Sequence, residues 1–517
     1  MMRFHRGLLL AIVAVVPAFT YPQTNGGVVS FANSGSKAAQ GPFLHGLAML
    51  HNFEYEFAAA DFRQAEGIDP NFAMAYWGEA MTHNRPVWNQ QNRHAAMHAL
   101  SKLGATPEAR LAKAKTKREK DYLGTLEILY GDGPKQVRDQ RYAEAMAALH
   151  ERYPNDIDAA AFYALALLGT GEGVRNQRVY MQAAGILMPL FYSHPHHPGI
   201  AHYLIHSCDD PIHAPLALPA ARAYSKIAPD AGHAQHMTSH IFLALGMWND
   251  VVQANETAMR VVNEQRVQQG KPAGHCGHYA YWLEYGYLES GQIDKAKQVL
   301  QGCREDASHA DMPASAGNVV DPDDSDLSSY TQMRNRFLVD TAEWDNAVAL
   351  GLPSRSHNPM LQFSQAYGAG LAAAEKGDLT SARKSLSDLH TLMTRLPEMF
   401  DRDGSAQDEP ERLVPAIEQQ QVQALIFAGE GKLDEAVVIA RKAAEEEMKL
   451  PYAFGPPDPA KPSYELLAEL LMKQNQPRLA VEACKQSLLR APNRSQSLAL
   501  LERASAAVSG STSTATR

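Results

Sequence analysis

Cysteine is scarce in this sequence, with four residues in a chain of 517. Cys208, Cys276, Cys303 and Cys484 are too few and too scattered for a disulfide scaffold, which excludes the class of small cysteine-stapled secreted domains. Cys276 and Cys303 lie near enough in the sequence for a bridge in an oxidising compartment. The simpler expectation is that all four are buried as small apolar residues.

An excess of positive charge is also missing. The 48 lysines and arginines are outnumbered by 57 acidic residues, which gives a formal net charge of −9. The one short basic run, residues 113–120, is interpreted as a solvated helix. We therefore expect no nucleic-acid partner.

Motifs that would identify a chemistry are absent from the sequence. It has no Cys-x-x-Cys-His for covalent haem, no glycine-rich phosphate loop, no Gly-x-Ser-x-Gly nucleophile elbow and no His-Glu-x-x-His zinc motif. We expect neither covalent haem nor a nucleotide cofactor. These absences leave open whether the chain is an enzyme.

Long apolar runs are confined to the N-terminus. Two arginines precede an apolar stretch that begins at Gly7, and small residues follow it. This layout predicts a signal peptide over residues 1–20, and hence a periplasmic or secreted protein. A retained membrane anchor is the alternative, but the stretch is short for a bilayer span. We expect a flexible stretch over residues 21–38 and no integral membrane segment after removal of the signal.

Small and aromatic residues recur along the rest of the chain at fixed spacings. Ala58, Phe62, Ala65 and Pro70 follow the pattern of the second helix in a tetratricopeptide repeat, a helix–turn–helix unit of about 34 residues. The same frame continues through Ala217, Ala221, Pro229, Gly246, Trp248, Gly291, Ile293, Ala296, Gly377, Leu379, Ala382, Gly431, Leu433, Ala436, Ala480 and Pro492. The chain therefore resembles the tetratricopeptide-repeat superfamily. This resemblance implies an all-α, right-handed superhelical solenoid of antiparallel helix pairs over residues 39–503.

Three polar segments interrupt the repeats and are expected to be loops: residues 304–329, 401–412 and 451–462. The first contains Asp321–Asp326, but it lacks the glycine and the terminal glutamate of a Ca²⁺ loop, so a solvated loop is the simpler interpretation. The tail, residues 504–517, is rich in serine and threonine and is expected to be disordered.

The third loop, residues 451–462, and the residues after it carry a second resemblance. Secreted bacterial tetratricopeptide proteins carry a GPP…KP…ELL segment before their final repeat, and the chain is similar to them at Gly455, Pro456, Pro457, Lys461, Pro462, Glu465, Leu466 and Leu467. No activity is implied by this resemblance.

A pair of histidines recurs at the length of one repeat. His202 and His206 are followed 34 residues later by His236 and His240. Each pair is spaced i, i+4, so its two imidazoles share one face of a helix. Because equivalent positions of neighbouring repeats lie side by side, the recurrence predicts that the two pairs meet on adjacent helices.

The family frame places further polar residues on the concave face of the solenoid. When the frames are fixed by Gly246, Gly291 and Pro229, the inner positions are taken by His202, His206, Asp209, Asp210, His233, His236, His240, His278, Tyr281, Tyr285 and Glu289. In the first repeat His51 also falls on an inner position. Nearby Asn84, Arg85 and Trp88 form a mixture of amide, cation and aromatic ring that suits the grip of a peptide or sugar.

The histidines point to metal chemistry. His202 and His236 could share one ion, with His206, His240 and His233 beside them. An alternative set is three histidines with Asp209 or Asp210 and one open position. Imidazole and carboxylate suit a divalent transition metal such as zinc, copper or iron. If a position is open, Asp209, Asp210 or Glu289 is a candidate catalytic base for a metal-bound water.

Two other interpretations stay open at this point. In the first, the chain is a metal-free scaffold that holds a peptide, a protein or a small molecule in its groove, with the histidines as hydrogen-bonding groups. In the second, the histidines are unrelated surface or core residues, each satisfied on its own.

Overall fold

The structure, a computed structural model, describes residues 25–171, 174–309, 325–350, 358–395 and 408–514. The predicted signal peptide lies outside the described residues, as does most of each of the first two predicted loops. The helices are α1 Gln40–His51, α2 Tyr55–Ile68, α3 Ala73–Met81, α4 Arg93–Leu103, α5 Pro107–Lys113, α6 Lys117–Leu129, α7 Lys135–Arg152, α8 Ile157–Gly169, α9 Gln177–Ser193, α10 Pro198–Cys208, α11 Ala214–Ile227, α12 Gly232–Ala244, α13 Trp248–Gln268, α14 His278–Glu289, α15 Ile293–His309, α16 Asp326–Thr341, α17 Ala347–Leu350, α18 Pro359–Glu375, α19 Leu379–Met393, α20 Asp408–Gly429, α21 Leu433–Glu447, α22 Ser463–Lys473, α23 Pro477–Arg490 and α24 Ser495–Thr514.

Successive helices pack as antiparallel pairs, which confirms the all-α helical-repeat solenoid. Gly246 and Gly291 end the first helix of their pairs with φ of +65° and +74°, a conformation that a side chain disfavours. Small residues at the predicted crossings, such as Ala58, Ala296 and Ala436, are fully buried and let the helix axes approach closely.

The solenoid closes on itself. The indole Nε1 of Trp248 donates to the carbonyl of Asn493 at 2.9 Å, and the amide of Asn493 donates to the carbonyl of Leu245 at 3.2 Å. A Cβ added to Gly246 would lie 2.4 Å from the carbonyl oxygen of Pro492, so only glycine fits this approach. The turn between α12 and α13 therefore rests directly on the turn between α23 and α24.

A buried arginine reinforces this closure. Arg494 is fully buried, and its guanidinium donates to Glu289 at 2.7 Å and to Glu465 at 2.9 Å, and also to Asp340. These carboxylates belong to α14, α22 and α16. One side chain thus ties the central repeats to the last ones.

The connector Tyr452–Pro462 is a loop, as predicted, and it lies inside the curve of the solenoid. Arg336 donates to the carbonyl of Ala460 at 2.6 Å and also to that of Pro457. A Cβ on Gly455 would lie 2.9 Å from the indole of Trp282, so the connector packs tightly against α14.

Several expectations about the chain outside the helix pairs were wrong. Residues 25–36 are packed rather than flexible: the amide of Val28 donates to His196, and Phe31 is buried. The last helix continues to Thr514 where a disordered tail was expected from residue 504. Helix also covers residues 304–309, 326–329 and 408–412, which shortens the first two predicted loops.

Two local features, a short hairpin and a disulfide, differ from what the sequence predicted. Asn84–Arg85 and Gln90–Gln91 form a two-stranded antiparallel hairpin, although no strand was predicted. Cys276 and Cys303 form a disulfide, so burial as free thiols holds only for Cys208 and Cys484. None of the described helices has the length and apolar character needed to cross a membrane.

Candidate metal centre

Three inner helices carry the histidine cluster. Every residue of α10 is buried, as is every residue of α12 except Leu243. A helix buried around its whole circumference has no solvated face, so its polar side chains must find partners inside the protein. The third helix, α14, begins at His278, whose residue is exposed at the edge of the cluster.

The first triplet consists of His202, His206 and His233. One ring nitrogen from each lies within 4.8 Å of one from each of the others. The Nε2 atoms of His202 and His233 are 3.2 Å apart. Two of these side chains come from α10 and the third from the first turn of α12.

The second triplet consists of His236, His240 and His278, again with one ring nitrogen of each within 4.8 Å of the others. The Nε2 atoms of His236 and His240 are also 3.2 Å apart. Here two side chains come from α12 and the third from the first residue of α14.

The triplets adjoin at His206 and His240. These two residues and Asp209 form a further group with ligand atoms within 4.8 Å, and the two ring centroids are 5.6 Å apart. We expected His202 and His236 to share one ion. The structure instead divides them between the two triplets, because the ring of His236 packs at 4.6 Å against His278.

The other ring nitrogen of three histidines is held by a hydrogen-bond acceptor. His202 Nδ1 donates to the carbonyl of His51 at 2.7 Å, His236 Nδ1 to Asn255 Oδ1 at 2.7 Å, and His240 Nδ1 to Asp209 Oδ2 at 2.9 Å. Asn255 uses its amide nitrogen for the carbonyl of Val251, so its oxygen faces His236. In each ring the Nδ1–H bond leaves Nε2 directed into the cluster.

Burial favours the neutral form of four of the imidazoles. Loss of solvent, reinforced by the neighbouring imidazoles, holds the pKa of His202, His206, His233 and His236 well below the usual value. Burial alone would raise the pKa of Asp209, but Arg175 and His240 lower it to about 2. Asp209 is therefore a carboxylate that accepts the proton of His240.

His206 is the exceptional member. Its side chain is buried, and neither ring nitrogen has a hydrogen-bond partner among the described residues. An unpaired buried polar group costs about 1–3 kcal/mol. The rings of Phe53 and Trp88 cover it at centroid distances of 5.8 and 6.4 Å.

A cleft of about 510 Å³ reaches the cluster from one side. Both His233 and His278 line it, together with Tyr55, Arg85 and Trp88. Trp88 is 39% exposed at its mouth, which is a position from which it can meet a ligand. On the opposite side the connector and Trp282 close the cluster, since the indole lies 4.4 Å from His240.

Two predicted catalytic bases are engaged elsewhere. Asp210 accepts the amides of Ile212 and His213 and so caps a turn. Glu289 pairs with Arg494 in the closure described above. Of the three candidates only Asp209 contacts a member of the cluster.

Two predicted groove residues, His51 and Asn84, are also held inside the protein. His51 is buried between Asp158 at 2.9 Å and Tyr203 at 3.0 Å, so it reaches the cluster only through its carbonyl oxygen. Asn84 is buried in the hairpin, where Gln91 donates to it at 3.0 Å.

The two predicted groove tyrosines lie further along the solenoid. Tyr285 is buried near Arg336, and its hydroxyl has no partner among the described residues. Tyr281 is half-buried beside the same arginine, where burial raises its pKa and Arg336 opposes the shift.

Sequence reasoning missed several residues that shape the cluster. Asn255 lies on the outer helix α13, and Arg175 and Phe53 lie in connecting segments, so none follows the inner-helix frame. The sequence does carry a signal for the third ligands, since His233 and His278 occupy the same position of successive repeat frames.

No protein-family model and no curated protein matches the chain. Among solved structures it is similar to yeast Tom70, with a TM-score of 0.35 and 12% identity over 92% of this chain and 96% of that one. It is also similar to the tetratricopeptide domain of P58(IPK), with a TM-score of 0.22 and 12% identity over 92% of this chain and 99% of that one. A third similar structure is the Cut9–Hcn1 hetero-tetramer, with a TM-score of 0.31 and 14% identity over 92% of this chain and 78% of that one. These likenesses carry no argument about function, and the fold assignment rests on the helix pairs themselves.

Proposed function

We propose that this chain is an exported helical-repeat protein that binds a transition-metal ion in the histidine cluster of its central repeats. The observation that carries the proposal is the shared orientation of the rings: Nδ1–H is bonded outward in His202, His236 and His240, and Nε2 is directed inward. Outer hydrogen bonds of this kind fix the tautomer and the ring plane of metal-bound histidines.

The spacing of the inner nitrogens fits a bound ion. Two nitrogens bound at ~2.1 Å with an N–metal–N angle of about 100° are roughly 3.2 Å apart. The pairs His202–His233 and His236–His240 have this separation. Without an ion, a proton must separate the two lone pairs in the second pair.

Imidazole ligands without thiolate suit Zn²⁺, Cu²⁺ or iron. Three protein nitrogens leave a coordination position open, as in catalytic rather than structural zinc sites, and an ion there would lower the pKa of a bound water. Asp209 contacts His240, so in this proposal it orients that ring. The disulfide between Cys276 and Cys303 supports the proposed export, because such bonds persist in oxidising compartments.

Metal binding is tested by elemental analysis. Protein purified without chelator is loaded with Zn²⁺ or Cu²⁺, freed of excess metal by gel filtration, and compared with a His236→Ala/His240→Ala variant. We expect stoichiometric metal in the parent and a marked loss in the variant. His98→Ala, at an exposed histidine of α4, is the matched control and should retain the metal. Equal, substoichiometric metal in all three proteins contradicts the proposal.

The competing function, a metal-free scaffold for a peptide, requires an open inner groove. Beside α14 and α16 the chain's own connector occupies that space through Gly455 and the bonds of Arg336. The cleft at Trp88 is the open approach to the cluster, and its volume suits a small molecule. We therefore propose that the partner of the metal site is a small molecule that enters through this cleft.

A further inference from the structure

The two triplets are built in the same way. In each, one inner helix supplies two histidines at i, i+4, and the first turn of the next inner helix supplies the third. In α10 the pair is His202 and His206, and His233 of α12 completes it. One repeat later the pair is His236 and His240, and His278 of α14 completes it. α12 contributes to both sites, which makes them neighbours.

From this duplication we infer that the cluster is a binuclear centre, with one transition-metal ion in each triplet. The inference rests on the proposed function and adds the number of ions and their setting. Each triplet has its own close Nε2 pair at 3.2 Å, so neither needs a ligand from the other. A single ion would use one triplet and leave the close Nε2 pair of the other without a cation between its atoms.

The surroundings accommodate two ions. His206 and His240 bring the triplets to a ring separation of 5.6 Å, and Asp209 supplies a carboxylate beside both. With three protein nitrogens each, both ions keep an open position. Because His233 and His278 line one cleft, a small oxygen- or nitrogen-donor ligand that enters past Trp88 can reach both ions.

The stoichiometry of Zn²⁺ in the full-length protein tests the inference. We expect two ions per chain, one in His202→Ala, one in His278→Ala and two in His98→Ala. The residue at position 278 is exposed, which favours a folded variant, and far-ultraviolet circular dichroism verifies the fold. One ion in the parent, or loss of both ions from folded His278→Ala, overturns the binuclear centre. No metal in any of the proteins refutes the proposed function itself.

Electron paramagnetic resonance of the Cu²⁺-loaded protein gives an independent measure. Two nearby Cu²⁺ ions couple, so the parent should show a broadened signal or less integrated intensity than its bound copper requires. His278→Ala should show the sharp signal of one isolated Cu²⁺ that accounts for all bound copper. An isolated-ion spectrum of the parent at full loading contradicts two adjacent sites.

Discussion

Replacement of Arg494 by methionine should destabilise the protein severely. Methionine has similar length and no charge, so Arg494→Met removes the cation and leaves Glu289, Asp340 and Glu465 buried around an apolar side chain. Breaking a buried ion pair by loss of one partner costs about 3–5 kcal/mol, because the remaining charge is uncompensated. We expect at least that loss in the free energy of unfolding at pH 7.

The pH dependence of this loss has a definite sign. Burial alone would raise the pKa of Glu465, but Arg494 and Lys461 lower it to about 2. A carboxylate with a lowered pKa stabilises the folded state above its unfolded pKa, about 4.3, and that contribution disappears as the pH falls toward the folded value. The difference between parent and Arg494→Met should therefore be largest near neutral pH and shrink below about pH 4.

Urea unfolding followed by circular dichroism measures both effects. Arg503→Met, at an exposed residue of α24, the helix that begins directly after Arg494, is the control and should change the free energy of unfolding by less than about 1 kcal/mol. A loss in Arg494→Met no larger than the control, or a difference that grows as the pH falls, refutes the argument.

Two further substitutions test the hydrogen bond that orients His236 in the second triplet and the stabilising effect of the disulfide. Asn255→Ala removes the acceptor that orients His236, so metal affinity measured by competition with a chelator should fall about 10–100-fold. Gln253→Ala, exposed on the same helix, should leave it unchanged, and equal affinities contradict the orienting role. Cys276→Ser should lower the free energy of unfolding by about 2–4 kcal/mol, since the bridge closes a loop across 27 residues. A reductant should destabilise the parent but not this variant, and the reverse result argues against the bridge.

The helix pairs could be predicted because the residues that end each helix and mark each crossing act locally. A glycine such as Gly291 or Gly246 ends a helix through its own backbone, and alanines such as Ala436 mark a crossing regardless of distant residues. Ring closure could not be predicted in this way. It depends on contacts such as Trp248 with Asn493, between residues that are far apart in the chain.

The candidate site was predictable in membership but not in grouping. The repeat length places the backbone of His202 beside that of His236, but it does not fix the direction of the rings. Asn255 and His278 turn His236 away from His202. Asn255 lies on an outer helix, at a position that carries no repeat signal. Glu289 illustrates the converse: its inner position is as the frame predicts, but Arg494 from the far end of the chain takes its charge.

The contact of Trp248 with Asn493 bears on how this architecture can change its length. An open superhelix gains or loses units at little cost, because each unit meets only its immediate neighbours. Here Trp248 and Gly246 contact Pro492 and Asn493, and all the helices between these residues must add up to a path that brings them together. Insertion or deletion of one helix pair between them would carry the two ends past each other, so the number of repeats in that interval is fixed.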